Sequence, residues 1–196
     1  MHRLLFIIFL LILQINSKAD NNLSIVLSVN NSLVTELDLA KEIKILKIIN
    51  KNISPQSTNI KKIAMGNIIN ELIKQKEVEK EKISIDKIII DSNFQRIITN
   101  IDKNNVLTDQ DKTEIYKKIE LDLKWNLLIS QKFSWNVNVN IDEIDKKIAD
   151  NKIKNEEEKF KLREKLIIET KEKKLNIYSK MYLEKIKKEY LIKYYQ

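Results

Sequence analysis

From Glu156 to Gln196 the chain runs without a single glycine or proline, and most of its residues there are Glu, Lys, Leu or Ile. These side chains lose little rotamer freedom in a helix. The stretch predicts a long C-terminal helix over 156–188. Phe160, Leu162, Leu166, Ile167, Leu175, Tyr178, Tyr182 and Ile186 recur at helical intervals, but they keep no strict heptad. A helix docked on its own domain fits that spacing better than a parallel coiled coil, which needs a sustained 3.5-residue repeat. After Ile186 the pattern changes to EYLIKYY, and Tyr190, Leu191, Ile192, Tyr194 and Tyr195 favour a strand over a charged surface helix. A closing strand is expected over 190–194.

The other end of the chain supplies its partner. IVLSVNNSLVTELD (25–38) places two short apolar runs on either side of Asn30–Asn31, followed by acidic residues as a helical pattern begins. An isolated hairpin is marginally stable, and a third strand improves it. Strands near 24–29, 33–35 and 190–194 therefore predict a mainly α fold, a multi-helix domain with a small antiparallel sheet that joins the N-terminal hairpin to the C-terminal strand. The competing architecture is an extended helical adaptor with a frayed C-terminus.

Between these ends the sequence reads as helices. Thr35 offers a cap for one running to about Asn50, with Leu39, Ile43, Leu46 and Ile49 as its apolar side. KNISPQST, with the lone proline Pro55, ends it. A longer helix from about Asn59 to Lys80 carries Ile60, Ile63, Ala64, Ile68, Leu72 and Ile73, and contains the lone glycine, Gly66. Glycine inside a helix costs about 1 kcal/mol relative to alanine, which a close helix crossing could offset. Asp86 can cap a helix through about Asp102, with Ile90, Phe94, Ile97, Ile98 and Ile101 inward. Thr108 to Asp111 opens another, with Ile115, Ile119, Leu123, Trp125, Leu127 and Leu128 as apolar content and Asp111 at the positive end of the dipole. Trp125 reads as a core or groove aromatic rather than a cofactor contact. The alternating stretch after Phe133 holds Trp135, placed either to pack under the junction or to meet a partner. Asn140 and Glu143 then have capping-box spacing.

The extreme N-terminus points to export. Arg3 precedes Leu4–Leu13, ten apolar residues that are too few for a membrane-spanning helix of about 20 but suit a secretory signal. Ser17-Lys18-Ala19 supplies small residues for cleavage before Asp20. Residues 1–19 read as a signal peptide, and 20–196 as the mature domain, large enough for a hydrophobic core. An uncleaved anchor and a buried N-terminal helix are the competing readings. No second long apolar run follows, so no stable membrane insertion is expected after processing. The absence of cysteine excludes disulfide stapling and lipidation of an N-terminal cysteine, which fits a bacterial periplasm. Three Asn-x-Ser triplets leave a eukaryotic secretory route open.

Charge and composition narrow the function further. The net charge of +8 falls to +6 without Arg3 and Lys18, and lysines alternate with acids, as in KQKEVEKEK (74–82). That is a solvated surface rather than a nucleic-acid stripe, and no nucleic-acid partner is expected. One glycine forbids a glycine-rich phosphate loop. The single histidine, His2, lies in the signal segment, which argues against histidine-based nucleophilic chemistry and common His/Cys metal sites. Acidic pairs such as Glu156–Glu157 and Asp142–Glu143 are explained by helix caps and solvated charge runs. No catalytic residue, cofactor or metal is expected, and the chain reads as a non-enzyme.

The order and spacing of these segments resemble the helical chaperone domain of the SurA family, periplasmic chaperones for outer-membrane proteins. IVLSVNNSLVTELDL (25–39) is similar to the family's opening strand, turn, second strand and acidic helix start. IINELIKQKEV (68–78) and ISIDKIIIDSNFQRI (83–97) resemble the helices that follow, VNVNIDEIDKKI (137–148) the link and helix before an isomerase module, and residues 163–195 the C-terminal helix and closing strand. The parvulin-type isomerase modules are missing, because only a short charged stretch separates Ile148 from Arg163. Lys82 also stands where the family frequently has glycine, which questions the local loop geometry. The resemblance implies an ATP-independent periplasmic holdase for unfolded or partly folded exported polypeptides, in contact with outer-membrane assembly machinery. A non-catalytic assembly adaptor is the alternative. Phe94, Trp125, Phe133 and Trp135 are the candidate client contacts, although core packing is the ordinary role of each.

Overall fold

In the computed structural model, which describes residues 24–49, 59–101, 106–151 and 155–195, IVLSV and SLVT form strands β1 (Ile25–Val29) and β2 (Ser32–Thr35). Residues 1–19, read above as a signal peptide, Asn50, the KNISPQST loop with Pro55, and Asp102 lie outside the described residues. Asn30 opens the two-residue turn between the strands at φ 51°, a left-handed conformation that asparagine tolerates better than most side chains. It also holds the third strand, β3 (Ile192–Tyr194). The Asn30 amide donates to the Leu191 carbonyl at 2.8 Å, and its side-chain Oδ1 accepts from the Leu191 amide at 2.8 Å. The sheet order is β2-β1-β3, with both pairs antiparallel. Ser28 stands opposite Leu33 on one side and Lys193 on the other. The third strand starts at Ile192 rather than Tyr190 because the helix before it turns on through Glu189 and Tyr190, whose amides bond Ile186 and Lys187 carbonyls at 2.9 and 3.2 Å.

Among the described residues, six α-helices follow from local signals. Helix α1 (Glu36–Ile49) starts on Thr35, which exchanges bonds with Asp38. The Thr35 amide donates to Asp38 Oδ2 at 2.9 Å, and the Asp38 amide donates to Thr35 Oγ1 at 3.3 Å. The same Thr-x-x-Asp box opens α4 (Asp109–Phe133), where Thr108 and Asp111 bond at 2.9 and 3.2 Å. Between them lie α2 (Ile60–Lys80) and α3 (Lys87–Asn100), the latter capped by Asp86 accepting from the Ile88 amide. A short 3-10 turn at Ser134–Asn136 leads to α5 (Ile141–Asp150), and α6 (Glu156–Lys187) completes the set. At α5 the capping box is not formed in the expected way. Asn140 accepts from the Asp142 amide at 3.1 Å, and Glu143 binds the Asn140 side-chain amide instead of its backbone.

The main core lies under the sheet. Leu27, Val29 and Val34 meet Ile69 and Ile73 of α2, Trp125 and Leu128 of α4, and Ile186 of α6. A second cluster joins Ile45 of α1, Ile90 of α3 and Ile115 and Ile119 of α4. Helix α6 thus docks on its own domain, and its first half packs against α5, where Arg163 grips Asp145 through two bonds of 2.9 and 3.1 Å. Three expected inward residues face out instead: Ile49 on α1, Ile63 on α2 and Phe160 on α6. No helix among the described residues is long and apolar enough to cross a membrane.

Gly66 and Lys82 are each in a position that suits the other residue. No helix crosses closely at Gly66, and a Cβ built there meets nothing within 4 Å. Lys82 has φ 53°, and the loop geometry around it is the ordinary glycine-type helix terminator: the Lys82 amide bonds Glu79 O and the Ile83 amide bonds Val78 O, both at 3.1 Å. Gly66→Ala is expected to raise stability by about 1 kcal/mol. Lys82→Gly is expected to add about 1 kcal/mol by removing the left-handed penalty. Urea titrations of the two single variants check both; a loss of stability in Gly66→Ala would mean that α2 is crowded where it reads as open.

Candidate functional site

The four aromatic candidates fall into different environments. Phe94 is half-buried in the second cluster, edge-on to Tyr116 with ring centroids 5.4 Å apart. Trp125 is 1% exposed, stacks on Tyr182 at 5.8 Å, and donates its indole N–H to Ser179 Oγ at 2.7 Å. Its ring is interior, so in this conformation it has no surface to offer a partner. Phe133 stacks on Tyr178 at 5.3 Å and meets Tyr182 edge-on. Only Trp135 is open, 75% exposed, with its indole N–H donating to the Lys132 carbonyl. The fold thus brings Trp125 and Phe133 together around Tyr182 and leaves Phe94 in the other cluster.

Tyr182 is the centre of that aromatic group. Its hydroxyl donates to Glu77 Oε2 at 3.0 Å, and burial, reinforced by the Glu77 carboxylate, pushes the phenol well above the usual tyrosine range. Tyr190 is raised for the same reasons, burial first. Glu77 is itself buried on the inner stripe of α2, one turn past Ile73, so a single carboxylate ties α2 to the last turns of α6.

A concavity lies elsewhere, beside β2. It is an open groove of about 640 Å³ walled by β2, α1, α2 and α4. Its lining mixes apolar residues, Ile45, Ile68, Leu72 and Leu121 among them, with carboxylates and lysines. Lys118 of α4 reaches across it to two carboxylates, Glu42 on α1 at 2.5 Å and Glu71 on α2. Glu42 is 5% exposed and also accepts from the side-chain amide of Asn67 at 3.1 Å. Burial pushes the Glu71 carboxyl above its ordinary value, and Lys118 partly offsets that push. For Lys118, burial works against the charge, yet Glu71 and Glu42 outweigh it and hold the ammonium above the ordinary lysine value. Nearby, Asp111 pairs with Lys44 at 2.7 Å, and this bond with Thr108's holds its carboxyl down at about 2.

Sequence reasoning missed this groove and its ion triad. One signal was present: Glu42 sits three residues after Leu39 and four before Leu46, so a carboxylate interrupts the buried stripe of α1. A charge on an inner stripe requires a buried counterion, which Lys118 supplies.

Chemically, the groove offers adaptable apolar contact beside charged groups. Among the described residues no group of His, Cys, Asp or Glu has the geometry to hold a metal ion. The chain matches no protein-family model, no curated protein and no solved structure.

Proposed function

We propose that this chain is an ATP-independent periplasmic chaperone, a holdase that binds unfolded or partly folded exported polypeptides and delivers them toward outer-membrane assembly machinery. In this reading it is a SurA-like chaperone domain without isomerase modules, and it acts by binding alone. The observation that carries the proposal is the open groove beside β2, which is lined by apolar side chains together with carboxylates and lysines. Such a surface gives affinity that tolerates many sequences, because apolar contact is non-directional, while the charged groups keep the empty protein dispersed. Leu33, which lines the groove, is exposed, and Leu37 and Trp135, outside its lining, are further exposed apolar side chains.

Recovered from the periplasmic fraction with Asp20 at its N-terminus, the protein is expected to suppress aggregation of several unfolded outer-membrane proteins at near-equal ratios. It should do so without ATP and without accelerating prolyl isomerisation. A protein that fails with every unfolded client, yet binds one folded partner tightly, is an assembly adaptor instead.

A further inference from the structure

The groove has one wall that is not a helix. Strand β2 is the edge of the sheet, and the bonds of β1 reveal which way its backbone points. The Asn30 amide and the Val26 carbonyl both bond toward β3, to Leu191 O at 2.8 Å and from the Tyr195 amide at 2.9 Å. Even-numbered residues of β1 therefore turn their polar groups to β3, and Leu27 and Val29 turn theirs to β2. Leu33 stands opposite Ser28, so its own amide and carbonyl point away from β1, to the open edge. At the next outward position the edge is closed, because the Thr35 amide is taken by Asp38 at 2.9 Å. Leu33 is 58% exposed, while its neighbour Val34 is buried in the core.

The charge of the groove differs from that of the chain. Six carboxylates and four lysines line it, a local excess of acid on a chain of net charge +8. Three of those lysines are already engaged: Lys118 with Glu42 and Glu71, Lys124 with Glu120 at 2.5 Å, and Lys117 with Glu114 at 3.3 Å. Glu79, in the lining, is bonded to the side-chain amide of Gln75 and has no cation beside it among the described residues.

We propose that β2 is a docking strand, and that its occupant is an extended segment of client polypeptide in which apolar and basic side chains alternate. This rests on the chaperone reading and specifies its binding mode. An added strand bonds to the outward amide and carbonyl of Leu33, which meet no partner among the described residues. Its side chains alternate between the two faces, so those of one parity lie over Leu72 and Leu121 while basic ones reach the lining carboxylates. Repulsion from the remaining basic surface disfavours the same segment elsewhere.

The test uses fluorescence anisotropy with a dye-labelled nonapeptide, Lys-Val-Thr-Val-Lys-Val-Thr-Val-Lys, its counterpart with Glu for Lys, and two versions N-methylated at alternate peptide bonds of either parity. The basic peptide is expected to bind about tenfold more tightly than the acidic one, and one parity of N-methylation, but not the other, is expected to weaken it about tenfold. Leu33→Pro, which removes only the outward amide at an edge position where proline is tolerated, should match the harmful methylation, and Leu33→Ala should weaken binding less. Equal binding of both methylated forms overturns strand docking, and the peptides decide this on the wild-type protein even if Leu33→Pro fails to fold. Aggregation suppression without peptide binding also overturns it and leaves the holdase standing. Parity-dependent peptide binding without aggregation suppression keeps the docking strand and removes the holdase.

Discussion

Replacing Trp125 with alanine is expected to lower the free energy of unfolding by about 3–5 kcal/mol, the range for removing a buried aromatic. Trp125 is the largest of the fully buried side chains. Its ring lies among residues of the sheet, α2, α4 and α6, so no single element can move in to fill the void. The loss also strips Ser179 of the indole N–H that its hydroxyl accepts at 2.7 Å and removes the face on which Tyr182 stacks. Trp125→Phe keeps most of the apolar volume and should cost about 1–2 kcal/mol, chiefly the hydrogen bond and the residual gap. Urea titration followed by circular dichroism separates the two. An alanine variant within 1 kcal/mol of wild type, by the same scale, would show that the ring is not packed as described.

The second large effect is expected at Lys118. Lys118→Met leaves Glu42 and Glu71 facing the same interior space with no cation between them. Removing one partner of a buried ion pair typically costs about 3–5 kcal/mol. Here the expected loss is about 2–4 kcal/mol at neutral pH, because the side chains of Lys118 and Glu71 keep 20% and 34% of their surface in water. The pH dependence has a definite sign. Glu71 is raised above 4.5 in the fold, so the folded state favours its neutral form, and its contribution is greatest below 4.5 and lost as pH rises through its raised value. Lys118 is raised above 10.5, so its contribution is complete below 10.5 and lost only at more alkaline pH. At neutral pH the lysine therefore offsets the penalty of an ionised Glu71. Without it, acidification should relieve the variant more than the wild type, and the stability gap should narrow as pH falls from neutral toward 4.5. Paired urea titrations across that range measure the gap; a constant gap would mean that lost packing of the lysine stem, not unpaired charge, is the cause.

The fold was legible where local chemistry and global need agree. The two Thr-x-x-Asp boxes, the Asp86 cap and the glycine-free run after Glu156 each mark a helix boundary within a residue or two of the structure. The sheet was legible because a hairpin of four- and five-residue strands is too small to stand alone, and residues 190–195 carry the only other strand-like pattern near a terminus. Facing was harder to read. Helix α2 has apolar residues on so much of its circumference that the inward stripe has more than one solution, and Ile69, which is buried, could not be told from Ile63, which is exposed. The groove was not legible at all, since its walls come from four segments separated by up to 91 residues, from Leu33 to Lys124. Lys118 is one lysine among many until the fold sets it between two carboxylates.

Strand β1 also makes the molecule sensitive to when its parts are made. One side of β1 is satisfied within a few residues by β2, while the other waits for residues 191–195. A chain interrupted at Lys188 already contains every helix described here, yet it would carry β1 as a bare edge and leave Asn30 with no strand to clamp. Such fragments have the backbone template that invites strand pairing between molecules. Closure of the sheet therefore separates chains that carry residues 191–195 from shorter ones that have nearly the same helical content but expose β1 as an edge open to pairing.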